Sequence, residues 1–335
     1  MKKFKLGILG ATGAVGMEMM EILKERNFPI EELKLFSSSR SAGKEVEFDG
    51  GKIIVQEACD DAFQELDIVL GAAENDIAER FAPVIKASGA VFVDNSSAFR
   101  LNDDVPLVVP EINPEDVKKH NGIIANPNCT TIITCTAVNA LSKVSRIESM
   151  NVSTYQAVSG AGIAGLRELE SEVEASVKGE TYEPKVFRYQ IAYNLIPQIG
   201  GDAFIGYTSE EMKLQNEGRK IMHNPDMKVN CTCVRVPVMR SHSVSVQLVT
   251  EKKISVDEAR ALFADAPGVK LVDDLDNQKY PMPLDTSDQD LVFVGRIRDD
   301  LINDRGLVLW CCGDQVRKGA ATNTIQIAEL VAADL

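Results

Sequence analysis

Histidine is scarce in this chain, with three in 335 residues. Acid–base chemistry by imidazole near neutral pH therefore has only His120, His223 and His242 to draw on. Long apolar runs are missing too. No stretch approaches the ~20 continuous apolar residues of a membrane helix. Met1-Lys2-Lys3-Phe4 runs straight into a strand, without the apolar stretch and small-residue cleavage site of a secretory signal. Positive charge is in deficit: 36 Lys and Arg against 50 Asp and Glu leave a formal net charge of −14. That balance argues against a nucleic-acid partner but leaves room for an anionic substrate held by a local cluster of Arg and Lys. The cysteines lack the usual zinc spacing. Cys231-Thr-Cys233 and Cys311-Cys312 read as buried strand packing, with metal ligation the weaker alternative, and no metal is expected. Cys59 and Cys135 read as packing as well. Seven cysteines, an odd number without a compact disulfide framework, fit a reducing cytoplasm. No internal repeat, low-complexity tract or linker is evident.

What is present is ordinary globular composition, 44% hydrophobic and 26% charged, in a length that suggests two domains. Up to about residue 128, short apolar runs alternate with helical periodicity. Residues 5–10, 33–36, 53–55, 68–70 and 91–93 read as strands, 107–109 and 123–124 as shorter runs of the same kind, and 13–26 and 78–87 as helices. This is the pattern of a doubly wound, mostly parallel sheet. Beyond about residue 145 the strands lengthen and alternate, at 149–156, 231–237 and 243–251, as in a sheet covered on one face. Helices are expected at 166–178 and 257–264, and further strands at 292–294 and 308–310. The expected fold is α/β: a Rossmann-like dinucleotide-binding domain at 1–128, and an α+β domain at 129–318 with a mostly antiparallel or mixed sheet. The helix at 319–335 is expected to pack back on the first domain.

Three features carry chemistry. Cys129 follows the turn-forming Asn126-Pro127-Asn128 and opens an apolar helical run (Ile132, Ile133, Ala137, Val138, Leu141). A helix N-terminus stabilises the nucleophilic thiolate. Gly10-Ala-Thr-Gly13-Ala-Val-Gly16 follows a strand and opens a helix, where glycines admit a pyrophosphate to the backbone. After the second strand comes Ser37-Ser-Ser-Arg40-Ser41, with no carboxylate for a ribose 2′-hydroxyl but an arginine suited to a 2′-phosphate, so NADP (NADPH) is the expected cofactor. Among the histidines, His120 reads as surface and His223 as a helix end. His242 lies between two strand-like segments, where it is either an acid/base group or a plain loop histidine. A nucleophilic cysteine with a nicotinamide site points to redox chemistry at the acyl level through a thioester.

The segments 10–16, Asp94-Asn-Ser-Ser-Ala-Phe-Arg100, Val109-Pro-Glu-Ile-Asn113, Asn126-Pro-Asn-Cys-Thr130 and Tyr155-Gln-Ala-Val-Ser-Gly-Ala-Gly162 resemble those of aspartate-semialdehyde dehydrogenase, its bacterial branch most. So do Glu210-Glu-Met-Lys213, Val234-Arg-Val-Pro-Val238, Ser241-His-Ser243 and Lys318-Gly-Ala-Ala-Thr-Asn323, in the family's order over nearly the whole chain. The resemblance implies Cys129 as the acyl-thioester nucleophile, His242 as general acid/base and Gln156 as the residue orienting the intermediate. It implies Arg235 on the substrate α-carboxylate, Glu210 on its ammonium, and Arg100 with Lys213 on the phosphate. It implies Gly10, Thr12, Gly13, Ala14, Val15, Arg40, Ser41, Ser159, Gly160 and Asn323 around the cofactor. The chain departs from the family at Gly71-Ala-Ala-Glu74-Asn75, where a small-residue turn is usual. The implied reaction converts 4-phospho-L-aspartate to L-aspartate 4-semialdehyde on the way to lysine, threonine and methionine, in a homodimer or dimer of dimers, with 129–318 as the catalytic and dimerisation domain. Glu210 argues against the neighbouring N-acetyl-gamma-glutamyl-phosphate reductases, whose acylated substrate has no ammonium to pair. The intact Cys129, Gln156, Arg235 and His242 argue against a non-catalytic NADP-binding sensor.

Overall fold

The computed structural model describes residues Lys2–Leu335. They divide into two compact units, residues 2–128 with Ala320–Leu335, and Cys129–Gly319. The first begins β1 (Phe4–Leu9), α1 (Ala14–Glu25), β2 (Ile30–Ser37). Then come β3 (Glu45–Phe48), β4 (Gly51–Ile54), β5 (Gln56–Glu57), β6 (Ile68–Gly71), α2 (Asn75–Ala87), β7 (Val91–Asp94) and β8 (Ile123–Ala125). Six strands form an all-parallel sheet in the order β5-β2-β1-β6-β7-β8. Parallel strands covered on both faces read as continuous apolar runs, and β1 is buried on both: Leu6 and Ile8 join one core with Met19, Ile22 and Leu23 of α1, while Leu9 joins Phe36, Phe63, Phe81 and Phe92 in another. Ile53, expected in a sheet strand, lies instead in an antiparallel hairpin of β3 and β4. Its run is too short and too exposed to enter a doubly covered sheet.

The strand order turns at β1, which has β2 on one side and β6 on the other. The loops leaving β1 and β6 meet there: the Ala72 N–H donates to Leu9 O at 2.7 Å. Gly10 has φ +88°, and a Cβ on it would stand 2.4 Å from Ala72 O. Only glycine lets the two loops close at this switch point, where ligands of open α/β sheets bind.

The second unit holds α3 (Cys129–Ser142), β9 (Ile147–Gln156), α4 (Gly162–Lys178), β10 (Asp202–Phe204), β11 (Tyr207–Thr208), α5 (Ser209–Ile221), β12 (Lys228–Arg235) and β13 (His242–Thr250). It continues with α6 (Val256–Ala264), β14 (Val269–Leu271), α7 (Pro283–Thr286), β15 (Val292–Asp299) and β16 (Gly306–Gly313). Its sheet, ordered β12-β9-β13-β16-β15-β14, is mixed: β12 runs parallel to β9 and β14 to β15, while β13 and β16 run antiparallel to their neighbours. Helix α3 is buried from Thr130 through Leu141 and contacts α5, α6, β9, β13, β15 and β16. A helix surrounded on all sides belongs to the core, so Cys129 sits at the first residue of the central element. Helix α8 (Thr322–Asp334) belongs to the first unit, where Ile325, Ala328 and Val331 enter the α1 core and Arg26 makes a forked pair with Glu329 at 2.8 and 2.6 Å. No described helix is long and apolar enough to cross a membrane.

The glycine at the switch point gives a direct test. Gly10→Ala meets both a positive φ and a backbone clash, whereas Gly43→Ala meets a positive φ (+84°) with nothing within 4 Å. Urea unfolding is expected to show about 1 kcal/mol lost at Gly43, and an additional ~1–3 kcal/mol from overpacking at Gly10. Equal losses at the two positions would mean that the close approach to Ala72 carries no energetic weight.

Candidate active site

The strand registers of the second unit gather residues that are far apart in sequence. Arg235, the last residue of β12, pairs with Gln156, the last of the parallel β9. On the other side of β9, antiparallel β13 begins at His242, with Ser243 opposite Tyr155. Gln156, Arg235 and His242 therefore emerge at one end of the sheet. His242, expected in a connecting loop, is the first residue of a strand and fully buried. The segment before it is polar and ends in a left-handed residue, so its pattern resembles a loop until the β16 partner is supplied.

Cys129 stands at the same end. Its Sγ is 3.6 Å from His242 Nε2. Nδ1 of the ring receives the Ala157 backbone N–H at 3.0 Å. A backbone amide can only donate, so Nδ1 carries no proton and the neutral ring bears it on Nε2, facing the sulfur. Burial, reinforced by the Arg235 charge and opposed by Glu210, lowers the His242 pKa to about 3. Gly319 packs against the cysteine so closely that a Cβ there would be 2.9 Å from Cys129 Cβ.

Glu210 is positioned by the start of α5. Thr208 and Glu211 form a reciprocal capping box there, and Glu211 also takes the Cys233 N–H of β12 at 3.0 Å. This fastens the helix start to the sheet. Glu210, 9% exposed, then receives Gln156 Nε2 at 3.3 Å on one oxygen and Lys213 Nζ at 2.9 Å on the other. Gln156 Oε1 in turn accepts from Thr154 Oγ1 at 3.0 Å. Arg235 Nη1 donates to Ala157 O at 2.7 Å, and burial lowers its pKa from the usual arginine value. Gly160 lies over this pair, since a Cβ on it would be 2.7 Å from Arg235 Nη1 and 3.4 Å from His242 Cε1. The second unit thus brings Cys129, Gln156, Gly160, Glu210, Lys213, Arg235 and His242 into one constellation.

Other residues of this unit hold the histidine turn, and of these Arg240, Asp314 and Gln315 carry no earlier expectation. Ser241 has φ +72°, and its N–H donates to Gln315 Oε1 at 2.9 Å. Gln315 Nε2 also donates to Ser159 Oγ. Fully buried Asp314 takes Arg240 Nε at 2.6 Å and the N–H groups of Val316 and Arg317. The available signal is Gly313-Asp-Gln315, a polar turn directly after an apolar strand.

The remaining candidates lie in the first unit. Thr12 Oγ1 and Ser37 Oγ are hydrogen-bonded at 2.9 Å, tying the glycine-rich loop to the end of β2. Gly13 is the N-cap of α1, whose first turn, from Ala14 and Val15, contains no acid. Arg40 is exposed in the turn after β2, and the Ser41 N–H donates to Ser38 O at 2.8 Å. Arg100 is buried, with Nε on Asn126 O at 2.9 Å and Nη2 on Asn95 O at 2.7 Å. Asn323 is fully buried, donating to Val108 O at 3.0 Å and Asn126 Oδ1 at 2.7 Å, so it braces the turn that precedes Cys129 in the chain. Glu74, the departure from the family's turn, is the N-cap of α2 without a side-chain capping bond. Of the cysteines, Cys135, Cys231, Cys233, Cys311 and Cys312 are buried, and burial raises the Cys135 and Cys312 thiols to about 12 and about 11. Cys59, expected in the core, is exposed, because its segment leaves the two-residue β5 as an irregular surface turn.

Comparison with known proteins bears on the chain as a whole. The family described as semialdehyde dehydrogenase, NAD binding domain, matches residues 5–120, and the semialdehyde dehydrogenase dimerisation domain matches residues 138–318. The aspartate-semialdehyde dehydrogenase of Synechocystis is 48% identical over 98% of this chain and 97% of its own length. The crystal structure of aspartate semialdehyde dehydrogenase II from Vibrio cholerae has a TM-score of 0.97 at 42% identity, covering 99% of each chain. A second structure of that enzyme, complexed with ASA, has a TM-score of 0.97 at 41% identity over 100% of this chain and 99% of its own. Its parallel nicotinamide-dinucleotide-binding unit, its mixed-sheet unit and these full-length likenesses together make the chain a member of the aspartate-semialdehyde dehydrogenase family.

Proposed function

We propose that the chain carries out the NADP-dependent, reversible reductive dephosphorylation of 4-phospho-L-aspartate to L-aspartate 4-semialdehyde through a thioester on Cys129. The observation that carries the reading is the pairing of Cys129 Sγ with the Nε2–H face of His242 at 3.6 Å, beside Gln156, Glu210 and Arg235. A thiol, a fixed donor, an anion and a forked cation are what an acyl substrate bearing both an ammonium and a carboxylate requires.

In this mechanism the Cys129 sulfur attacks the acyl-phosphate carbonyl, the carbon–oxygen bond to phosphate breaks, and a thioester remains. The start of α3 favours the thiolate, both as nucleophile and as the leaving group of the final step. A reduced nicotinamide, when bound, supplies the hydride that takes the acyl carbon to the aldehyde level. His242 donates a hydrogen bond from Nε2 to the sulfur at rest and to the oxyanion of the tetrahedral intermediate; because Nδ1 accepts the Ala157 N–H, this neutral hydrogen-bond donor takes the place of the general acid/base that the resemblance implies, and the proton taken up by the released phosphate comes from solvent. Gln156 orients the intermediate, held by Thr154 and Glu210. Arg235 grips the α-carboxylate as a fork, Glu210 faces the ammonium, and Lys213 with Arg100 receives the phosphate.

The first unit fits a dinucleotide. The Gly10 loop has no room for a Cβ, and the α1 start offers backbone donors uncontested by an acid. The 2′-phosphate of NADP suits Arg40 and Ser41, with no carboxylate from Ser37 to Ser41 to repel it. Gly10, Thr12, Gly13, Ala14 and Val15 would line the pyrophosphate, and Ser159, Gly160 and Asn323 complete the cofactor set. A homodimer, alone or paired into a dimer of dimers, is supported by the dimerisation-domain match and by Leu301 and Ile302, 99% and 87% exposed. Operation in the cytoplasm, on the pathway to lysine, threonine and methionine, completes the reading.

The deciding experiment is nicotinamide reduction by L-aspartate 4-semialdehyde, with and without phosphate, using NADP⁺ or NAD⁺ and N-acetylglutamate semialdehyde as the alternative substrate. Phosphate-dependent signal with NADP⁺ and the aspartyl aldehyde is expected; activity on the acetylated aldehyde would transfer the chain to the neighbouring reductases. Arg40→Ala should raise KM for NADP⁺ by about 10-fold or more with little effect on NAD⁺, and equal losses for both would remove Arg40 from the 2′-phosphate. His242 supplies a pH test. Its pKa is lowered from 6.5 to about 3, so the folded protein resists a proton that the unfolded chain accepts. Stability is full above pH 6.5 and falls as pH drops toward 3. Acid unfolding of His242→Gln should accordingly be shallower than that of the parent across that window. An unchanged acid limb would show that the imidazole is not held neutral.

A further inference from the structure

Arg235 is gripped by a segment without helix or strand. Residues 185–196, between α4 and β10, have no regular structure apart from an isolated bridge at Ile196. At that bridge Ile196 N–H donates to Arg235 O at 3.0 Å and Arg235 N–H to Ile196 O at 2.8 Å, extending the free edge of β12 by one step. The Phe187 ring centre lies 5.8 Å from the Arg235 guanidinium carbon, within cation–π range. Arg235, Phe187, Ile196 and Gln198 together line a cavity of 390 Å³. An irregular segment holds such positions only if its backbone is fastened.

Two buried acids, four residues apart on α4, do the fastening. Glu168, 2% exposed, accepts the N–H groups of Lys185 and Val186 on Oε2, both at 2.7 Å, and that of Phe187 on Oε1 at 2.8 Å. Glu172, 3% exposed, accepts those of Ile191 and Ala192 on Oε2 at 2.8 and 2.7 Å, while its Oε1 is buried without a hydrogen-bond partner. Charge-assisted bonds of this kind are the strong ones, and burial is tolerable for a carboxylate that makes several.

We infer that Glu168 is a positioning residue for Arg235: by fixing the backbone of residues 185–187 it sets the Phe187 ring against the guanidinium and aims the arginine fork at the substrate α-carboxylate. The inference rests on the proposed carboxylate role of Arg235. The two acids differ in a way that makes it testable. An amide at 172 keeps one oxygen for both N–H groups and puts its nitrogen where no partner stands. An amide at 168 cannot serve three N–H groups spread over two oxygens; its nitrogen meets either Phe187 or the Lys185–Val186 pair, donor against donor.

The experiment compares the full-length Glu168→Gln, Glu172→Gln, Phe187→Leu and Arg235→Ala enzymes, together with the Glu168→Gln/Arg235→Ala double variant. KM is measured separately for L-aspartate 4-semialdehyde, phosphate and NADP⁺. Glu168→Gln is expected to raise KM for the aldehyde alone by about tenfold, with Glu172→Gln close to the parent and no further rise from Glu168→Gln once Arg235 is removed. Phe187→Leu should give the same aldehyde-selective rise, so the inference stands or falls on that variant if Glu168→Gln does not fold. A rise in all three KM values, or equal behaviour of the two glutamine variants, would reduce Glu168 to a structural group and overturn the inference. If Arg235→Ala leaves the aldehyde KM unchanged, the carboxylate role of Arg235 fails instead, whatever Glu168→Gln does.

Discussion

Register between β9 and its two neighbours is the constraint from which the site follows. Parallel pairing of β12 brings the ends of two strands that leave the sheet in the same direction to one level, Gln156 beside Arg235. Antiparallel pairing of β13 brings the start of a third strand to that level from the other side, with His242 one residue before the Ser243–Tyr155 pair. A slip of one residue in either ladder would turn every side chain of the slipped strand to the other face, and Arg235 or His242 would point away from Cys129. The alternation of buried and exposed residues along β12 and β13 resists that slip, since a shifted strand would expose Cys231 and Cys233, or Val244 and Val246, and bury polar neighbours. The hydrophobic pattern that stabilises the sheet thereby fixes the geometry of the candidate site.

Electrostatics then depend on what this packing excludes. The constellation contains one guanidinium, one carboxylate and one ammonium, from Arg235, Glu210 and Lys213, around an imidazole held neutral by burial. A protonated His242 would add a second cation beside Arg235 in a dry setting, where like charges cost most. The Ala157 N–H on Nδ1 adds a geometric condition, because protonation of that nitrogen would break its only backbone bond. Dehydration and one peptide group thus select the tautomer that presents a hydrogen to sulfur.

Local pattern made much of this legible. Apolar runs on both faces of β1, the glycine loop and the apolar helix after Cys129 each carry their signal within a dozen residues. The mixed sheet could be expected from alternation, but not which strand lies beside which, and so the meeting of residues 129, 156, 235 and 242 rested on resemblance rather than on spacing. His242 read as a loop residue because its strand begins only where Gly313 pairs with it. Residues 53–55 have the composition of a sheet strand, yet Ile53 and Ile54 lie in a separate hairpin, since so short a run carries no mark of its partner. Glu168 and Glu172 gave no signal at all: acids four apart on a charged helix read as a solvated face, and only the return of residues 185–192 buries them.

That burial bears on how an irregular segment can serve precise chemistry. Loops are usually the mobile part of a site, yet residues 185–196 gain from two carboxylates what a strand gains from a ladder, fixed acceptors for five N–H groups. Because the acceptors belong to α4, movement of that helix would be transmitted to the ring facing Arg235. Helix α4 also leads directly from the turn of Ser159 and Gly160, and Gly160 lies against both Arg235 and His242. Its start and its middle therefore reach the same arginine, one through the glycine turn and one through the carboxylate-held loop, and the rigidity of that helix sets how tightly the Arg235 guanidinium is held.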